Sequence, residues 1–353
     1  MQGLLKLLKI PAAFAPALSL LLCLLGAVPQ PAQATQATQA TEVGWRQITV
    51  PGGVREAAPT LVALYYPTAA AARPVAMGPF TVTAAMRAEP EATVKGLLLL
   101  SHGTGGSELG HSTLAQALAQ SGYLVAALRH PGDNWQDTAL RDGPGAARYF
   151  VQRPQQVSHV IDALLQDPLW KDRIARDSRG PRVGALGHSA GGYTVLALAG
   201  GVPQWSRLSS HCSTQAALDP IFCSIGRGQP AAAADMPSVA DGRVRAVAAL
   251  APVGVLFSAA SLAGVSAPTL LVEAEQDRFL VPRFHSGWVA QNLPQAERIR
   301  VPNAWHFVFT DTPSMPLPSP DGDIGANAPG FDRAAFLSKL GRTLSVFFDR
   351  AWP

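Results

Sequence analysis

The sequence predicts an α/β fold with a mostly parallel central sheet of about eight strands, helices on both faces and a small insertion of the kind that forms a lid. Two observations lead to this prediction. From about residue 45 onward, short β-like runs alternate with stretches of helical spacing. The central β-like runs are apolar almost throughout, which is typical of strands that are covered on both faces. A domain at 45–353 is long enough for one large hydrophobic core.

The predicted elements follow one another in regular order along the chain. Eight β-like runs predict strands at 47–50, 60–66, 94–100, 123–128, 183–186, 244–250, 269–273 and 298–301. Five stretches with helical spacing predict helices at 113–120, 157–166, 193–199, 283–292 and 333–350. Two stretches interrupt this order. Residues 202–242 are rich in Pro, Ala, Ser and Gly and predict the lid insertion, and residues 311–330 predict a proline-rich loop.

The N-terminal residues 1–34 predict a secretory signal peptide. Lys6 and Lys9 precede an apolar stretch at 10–28, and small residues at 32–34 form a cleavage pattern. The alternative is a membrane anchor, but the prolines within and after the stretch and the cleavage pattern favour removal. We therefore expect an exported protein, periplasmic or extracellular, with no stable membrane anchor. Residues 35–41 repeat Ala, Thr and Gln, and a disordered linker is predicted at 35–44.

Charge and cysteine content narrow the class of partner. The formal net charge is +4, and no basic cluster remains after the predicted signal peptide, so we expect no nucleic-acid partner. Cys212 and Cys223 are the cysteines of the mature chain, and an even number in an exported protein predicts a disulfide. Two buried free thiols are the alternative. No His/Cys cluster has metal-ligand spacing, so we expect no metal and no organic cofactor. The oligomeric state cannot be inferred from the sequence.

The pentapeptide Gly187-His188-Ser189-Ala190-Gly191 is the strongest functional motif. It lies between an apolar run at 182–186 and a helix-like run at 193–198. This strand, sharp turn and helix are the context of a nucleophilic serine, which the turn lifts clear of the sheet. Flanking glycines are needed where a Cβ would collide with the crossing strand or helix. Ser189 is therefore the predicted nucleophile.

A serine hydroxyl needs a base to accept its proton and an acid to orient that base. Asp277 follows the predicted strand at 269–273, and His306 follows the next one, so both are expected at the carboxyl edge of the sheet. The order Ser, Asp, His along the chain is the order found with this kind of nucleophile turn. Glu273 and Glu275 remain alternatives to Asp277 as the acid. The other histidines lie in turns, on helices or in the insertion and are interpreted as structural.

The negative oxygen of a tetrahedral intermediate needs hydrogen-bond donors. One expected donor is the N–H of Ala190, directly after the nucleophile. The other is expected from the glycine-rich loop at 101–106, and Thr104 is the predicted residue. The lysine of a phosphate-binding loop does not follow these glycines, so a nucleotide cradle is not expected.

Several short motifs in this order resemble the α/β-hydrolase superfamily. They are Ser101-His102-Gly103 with Gly105-Gly106, residues 129–134, Arg153-Pro154 at the opening of a helix, the Ser189 pentapeptide, the placements of Asp277 and His306, and residues 329–332. Within that superfamily the chain is similar to exported bacterial proteins called predicted dienelactone hydrolases, relatives of platelet-activating-factor acetylhydrolase and bacterial polyester hydrolases.

The resemblance implies a serine hydrolase of carboxylic esters with Ser189, Asp277 and His306 as its triad. Dienelactone hydrolase itself has a cysteine nucleophile, so the serine here argues against dienelactones as substrates. The expected substrate is a small-molecule or polymeric ester, and Trp135 and Trp305 are candidates for its pocket. Two alternatives stay open: a peptidase or amidase with the same triad, and a noncatalytic binding protein that keeps the fold.

Overall fold

The computed structural model describes residues 41–53, 58–140, 146–225 and 236–352. The chain divides into a unit at Met1–Gln39 and a unit at Ala40–Pro353, and the described residues belong to the second. The predicted signal peptide and the linker up to residue 40 lie outside the described residues. The first strand begins at Glu42, ahead of the predicted start of the domain at Trp45.

One large sheet forms the centre of the domain. The described strands are β1 (Glu42–Val50), β2 (Thr60–Thr68), β3 (Arg73–Met77), β4 (Phe80–Met86), β5 (Leu97–Ser101), β6 (Leu124–Arg129), β7 (Arg176–Asp177), β8 (Gly180–Pro181), β9 (Val183–His188), β10 (Val244–Leu250), β11 (Thr269–Ala274), β12 (Glu297–Val301), β13 (Pro318–Ser319) and β14 (Gly322–Asp323). Ten of them pair in the order β12-β11-β10-β9-β5-β6-β2-β1-β4-β3. The six from β12 to β6 are parallel, which confirms the predicted mostly parallel sheet.

Two strands of the sheet were not predicted. β3 and β4 form an antiparallel hairpin that adds to the sheet beside β1. β4 carries a clear alternation, with Phe80, Val82 and Ala84 buried and the residues between them exposed. Strict alternation of this kind is the usual signature of a half-covered strand. The sheet therefore has ten strands where about eight were expected.

Helices cover both faces of the sheet. They are α1 (Ser112–Gln120), α2 (Ala146–Gln166), α3 (Ala190–Leu198), α4 (Trp205–Gln215), α5 (Pro220–Ile225), α6 (Ala259–Ala263), α7 (Ser286–Asn292) and α8 (Arg333–Ala351), with 3-10 turns at Pro282–Phe284 and His306–Phe309. Along β5, Leu97 and Leu99 pack in a core with α2 and α3. Leu98 and Leu100 pack in a second core with α1 and α8. No helix in the described ranges is long and apolar enough to cross a membrane.

Helix α2 differs from its prediction in a way that matters for the site. It begins at Ala146, so Pro154 lies inside the helix and does not open it. A proline has no N–H and leaves the carbonyl four residues earlier without its helical donor. That carbonyl belongs to Phe150, and it accepts a hydrogen bond from the buried hydroxyl of Tyr193 at 2.8 Å. The interruption thus ties α2 to α3, the helix that follows Ser189.

The predicted lid insertion at 202–242 contains α4 and α5, while residues 226–235 lie outside the described ranges. Trp205 and Leu208 of α4 are buried in the core beside α3. Cys212 and Cys223 form the predicted disulfide, with a Cα–Cα distance of 5.3 Å. The disulfide is confirmed, and the role of the insertion as a lid stays a prediction.

Candidate active site

Ser189 lies at the sharp turn between β9 and α3. Its backbone has φ 60° and ψ −118°, a conformation that is strained for a residue with a Cβ. Hydrogen bonds hold the turn on both sides: the Ser189 N–H donates to the Leu250 carbonyl at 2.9 Å, and the N–H groups of Tyr193 and Val253 donate to the Ser189 carbonyl at 3.1 Å. Strained backbone persists only where surrounding structure enforces it, and it clusters at functional sites.

The glycines on either side of Ser189 are required by close packing. A Cβ added to Gly187 would lie 2.2 Å from the carbonyl oxygen of Gly191. A Cβ added to Gly191 would lie 1.9 Å from the carbonyl oxygen of Ser101 at the end of β5. Both distances are far shorter than any allowed contact, so no larger residue fits at either position. The predicted reason for these glycines is therefore correct.

Asp277 and His306 come together from the loops after β11 and β12. The Nδ1 atom of His306 lies 2.7 Å from Oδ2 of Asp277, and both side chains are almost fully buried. Oδ1 of Asp277 accepts hydrogen bonds from the N–H groups of Phe279 at 2.9 Å and Leu280 at 2.7 Å. Because the ionised carboxylate only accepts, Nδ1 of a neutral His306 carries its proton, and Nε2 is left with a free lone pair. That is the tautomer of a general base.

The residue before Ser189 connects the serine turn to His306. Nε2 of His188 donates to the main-chain carbonyl of His306 at 2.9 Å, and the two rings lie 4.7 Å apart. Burial holds the pKa of His188 well below its ordinary value, and the neighbouring His306 adds to this effect. Phe279 also stacks on the His306 ring, with ring centres 4.9 Å apart. Among the hydrogen bonds of the described residues, none joins Ser189 Oγ to His306.

Glu273 and Glu275, the alternative acids, have other partners. Glu273 is buried and forms an ion pair with Arg298 of β12. Glu275 pairs with Arg300 of the same strand at 3.2 Å. Of the three carboxylates considered from the sequence, Asp277 is the one that hydrogen-bonds His306.

The glycine-rich loop at 101–106 passes directly beside Ser189. A Cβ added to Gly103 would lie 3.2 Å from the Cβ of Ser189. The N–H of Gly105 donates to Asp133 at 2.8 Å, and that of Gly106 donates to the Gly103 carbonyl at 3.1 Å. In the described part of the chain, no protein acceptor bonds the N–H of Thr104 or that of Ala190. The Thr104 side chain itself lies 2.8 Å from the Tyr149 hydroxyl.

The sequence did not identify the polar cluster behind this loop. Arg153 and Asp133 are fully buried there and form an ion pair. Burial lowers the pKa of His102 and of His130 well below the ordinary value, and the positive charge of Arg153 lowers both further. Both histidines are therefore neutral. The resemblance had singled out residues 129–134 and Arg153, but nothing in their spacing predicted that they meet.

The two candidate pocket tryptophans lie in different settings. Trp305 precedes His306, and the Arg278 guanidinium lies 3.9 Å from the centre of its ring. Arg278 also pairs with Asp321 at 2.9 Å. Trp135 is 62% exposed and lies under Arg129 at 5.7 Å. Contact of either tryptophan with substrate stays a prediction.

One buried cluster, His211, Asp219 and His285, has side-chain atoms close enough together to share a metal ion. Both imidazoles lie 2.8 Å from the same oxygen of Asp219 through Nε2. The Gly254 N–H donates to Nδ1 of His285 at 3.3 Å, so the proton of this ring is on Nε2. A protonated nitrogen cannot bind a metal. The cluster therefore fits a hydrogen-bonded group that ties the insertion to the segment before α7 better than a metal site.

No protein-family profile matches the chain. Among solved structures it is similar to a ferulic acid esterase from Streptomyces cinnamoneus, with a TM-score of 0.58 and 20% identity over 90% of this chain and 92% of that one. A dienelactone hydrolase from Anabaena variabilis has a TM-score of 0.47 and 14% identity over 88% of this chain and 98% of that one. The first likeness shows the fold, and the chain has the α/β-hydrolase architecture that the sequence predicted.

Proposed function

We propose that this chain is a serine hydrolase that cleaves carboxylic esters through an acyl-enzyme intermediate, with Ser189, His306 and Asp277 as its triad. The observation that carries the proposal is the Asp277–His306 hydrogen bond, held beside the strained Ser189 turn by the contact from His188. Hydrogen bonds between nucleophile and base are often long before substrate binds. The lack of a direct Ser189–His306 bond is therefore compatible with this assignment.

The steps of the proposed reaction follow from the positions of the protons on Ser189 and His306. Ser189 Oγ attacks the ester carbonyl carbon while Nε2 of His306 takes its proton. The resulting negative oxygen accepts hydrogen bonds from the N–H groups of Ala190 and Thr104. His306 then gives its proton to the departing alcohol as the C–O bond breaks. Water then attacks the acyl carbon while His306 takes a proton from it, and His306 returns that proton to Ser189 Oγ as the acid leaves. Asp277 keeps the His306 Nδ1–H in place throughout. The proposal requires no metal or organic cofactor.

The proposed substrate is a small-molecule or polymeric ester. Trp305 next to His306 offers an apolar surface for an acyl or aromatic group. Esters are the first substrates to test, since one solved structure of similar fold is a ferulic acid esterase. We also propose export to an oxidising compartment, which the Cys212–Cys223 disulfide supports. The N-terminal residue of protein purified from the native host tests this proposal, and it is Thr35 if cleavage follows Ala34.

A fluorophosphonate probe tests the nucleophile. We expect labelling of the wild-type protein and loss of labelling in Ser189→Ala. Ser345→Ala is the matched control, because Ser345 is another buried serine and lies on α8. We expect this variant to be labelled like the wild type. An unlabelled wild type that is folded would reject the proposal and favour a noncatalytic role.

Paired substrates test the ester preference. A nitrophenyl ester and a nitroanilide with the same acyl group are compared at equal enzyme concentration. We expect turnover of the ester and little of the anilide, both abolished in Ser189→Ala. Faster cleavage of the anilide would identify an amidase or peptidase with the same triad. A series of acyl lengths would then define the substrate class.

A further inference from the structure

We propose that Arg153 and Asp133 are positioning residues that hold the loop at 101–106 in the shape needed to bind the negative oxygen of the tetrahedral intermediate. The inference rests on the proposed function and extends it to two residues that do not touch the reacting atoms. The pair lies behind the loop, and both side chains are fully buried.

The Arg153 guanidinium connects four parts of the site. It extends from α2 and hydrogen-bonds the main-chain carbonyl of His102. It also donates to Ser101 Oγ at 3.1 Å and to Thr194 Oγ1 at 3.3 Å, and it pairs with Asp133. Ser101 ends β5, His102 begins the loop, and Thr194 lies on the helix that follows Ser189. One rigid, planar group thus fixes the loop relative to the nucleophile helix.

The Asp133 carboxylate divides its two oxygens between the arginine and the loop. Oδ2 accepts from Arg153, and Oδ1 accepts from the N–H of Gly105 at 2.8 Å. The Gly105 N–H directly follows Thr104, whose own N–H has no acceptor among the described residues. Binding the next N–H from behind sets the orientation of the peptide at Thr104. This is how Asp133 acts on the proposed donor without contacting substrate.

A chain of hydrogen bonds from Gln156 through His130 to the Ser101 hydroxyl also supports the loop, and its proton positions are fixed. Gln156 Oε1 is an acceptor 2.7 Å from His130 Nδ1, so Nδ1 donates and Nε2 accepts. Nε2 lies 2.8 Å from Ser101 Oγ, which therefore donates to it. Ser101 Oγ in turn accepts from Arg153. The hydroxyl has one donor and one acceptor partner, and its orientation is determined.

A buried ion pair is costly to form and is weak evidence for stability alone. Here each partner also bonds the main chain of the loop, Asp133 at the Gly105 N–H and Arg153 at the His102 carbonyl. Removing one acceptor of Asp133 should release the Gly105 N–H and loosen the peptide at Thr104. Loss of one donor to such an oxygen typically lowers turnover by about 100-fold or more.

The test compares Asp133→Asn with the wild type and with Asp177→Asn. Asn keeps the size of Asp133 but has one acceptor oxygen where the carboxylate has two. Asp177 is the matched control because it forms a two-point ion pair with Arg245, at 2.7 and 2.9 Å, outside the proposed site. Each variant is assayed for kcat and KM on a nitrophenyl ester, and for affinity toward an alkyl trifluoromethyl ketone. That ketone forms a tetrahedral adduct and reports on binding of the negative oxygen.

For Asp133→Asn we expect kcat and ketone affinity to fall together by about 100-fold, with KM changed by less than about threefold. Asp177→Asn should leave all three values near wild type. Unchanged kcat in Asp133→Asn, or equal losses in both variants, would overturn the proposal. If Asp133→Asn does not fold, Arg153→Lys replaces it. A lysine keeps the charge but cannot bond Asp133, Ser101 and His102 together, so the same pattern with a smaller loss is expected.

Amide hydrogen exchange separates this proposal from the proposed function. We expect exchange in a peptide covering 101–108 to become at least about tenfold faster in Asp133→Asn and to stay unchanged in Asp177→Asn. Unchanged exchange in Asp133→Asn overturns the positioning role, whether or not the wild type hydrolyses esters. If exchange is faster in Asp133→Asn but the wild type does not hydrolyse esters, the role of Asp133 in holding the loop is retained and the catalytic assignment is rejected.

Discussion

His111 should make the stability of this protein depend on pH. The residue precedes α1 and is 4% exposed, and neither ring nitrogen has a hydrogen-bond partner among the described residues. Burial lowers its pKa to about 4. In the unfolded chain an ordinary histidine has a pKa near 6.5. Between these values the unfolded chain binds a proton that the folded protein does not, so stability falls as the pH decreases.

The size of the effect follows from the two pKa values. One pKa unit corresponds to about 1.4 kcal/mol, so this histidine should cost about 2 kcal/mol of unfolding free energy on going from about pH 8 to about pH 5. Other buried histidines with lowered pKa, such as His102 and His188, add to the total acid sensitivity. The contribution of His111 is isolated by replacing it.

His111→Leu is the informative variant, since leucine has a similar volume and no polar atoms. We expect unchanged or higher stability at about pH 8, because an unsatisfied buried polar group is removed. The difference in unfolding free energy between about pH 8 and pH 5 should shrink by about 2 kcal/mol. Urea titrations at the two pH values measure both quantities. His159→Gln is the control, as His159 is half-buried on α2 and bonds the Pro51 carbonyl. Equal pH dependence in His111→Leu and wild type would refute the reasoning.

Three further predictions concern the serine turn, the disulfide and the acid. Gly191→Ala should lose at least about 3 kcal/mol of unfolding free energy in urea, because the added Cβ overlaps the Ser101 carbonyl. Gly242→Ala is the control, since an added Cβ there has nothing within 4 Å and should not lower stability. Equal stabilities of the two variants would contradict the packing argument. Replacing both Cys212 and Cys223 by alanine should lower the unfolding free energy by about 3 kcal/mol, and reductant should then have no further effect. Asp277→Asn should lower kcat by about 10⁴-fold with near-normal urea stability, and a small loss of kcat would exclude Asp277 as the orienting acid.

Sequence reasoning found the elements whose signal is local. The central parallel strands are mostly apolar runs, and the Ser189 turn has its own glycine requirement, so both were predicted. The hairpin of β3 and β4 was missed although β4 alternates, because the alternation covers only 80–84 and ends where Ala84 and Ala85 are both buried. The predicted start of helix α2 was too late because Pro154 was interpreted as a helix boundary. A distant hydroxyl, that of Tyr193, is what makes an internal proline tolerable there.

The rest depended on contacts between distant parts of the chain. Glu273, Glu275 and Asp277 lie on one segment, and the sequence favoured Asp277 but left both glutamates as alternatives. The choice is made by the arginines of β12, which pair with both glutamates and leave Asp277 for His306. Arg153 and Asp133 lie on different elements and meet only after folding. No periodicity or spacing encodes such a meeting.

A crystal structure of the protein after reaction with a fluorophosphonate tests the central claim most directly. We predict a covalent bond from phosphorus to Ser189 Oγ and His306 Nε2 within hydrogen-bond distance of the adduct. The phosphonyl oxygen should lie about 3 Å from the N–H groups of Thr104 and Ala190. An adduct on another residue, or an imidazole that points away from Ser189 in the adduct, would contradict the account.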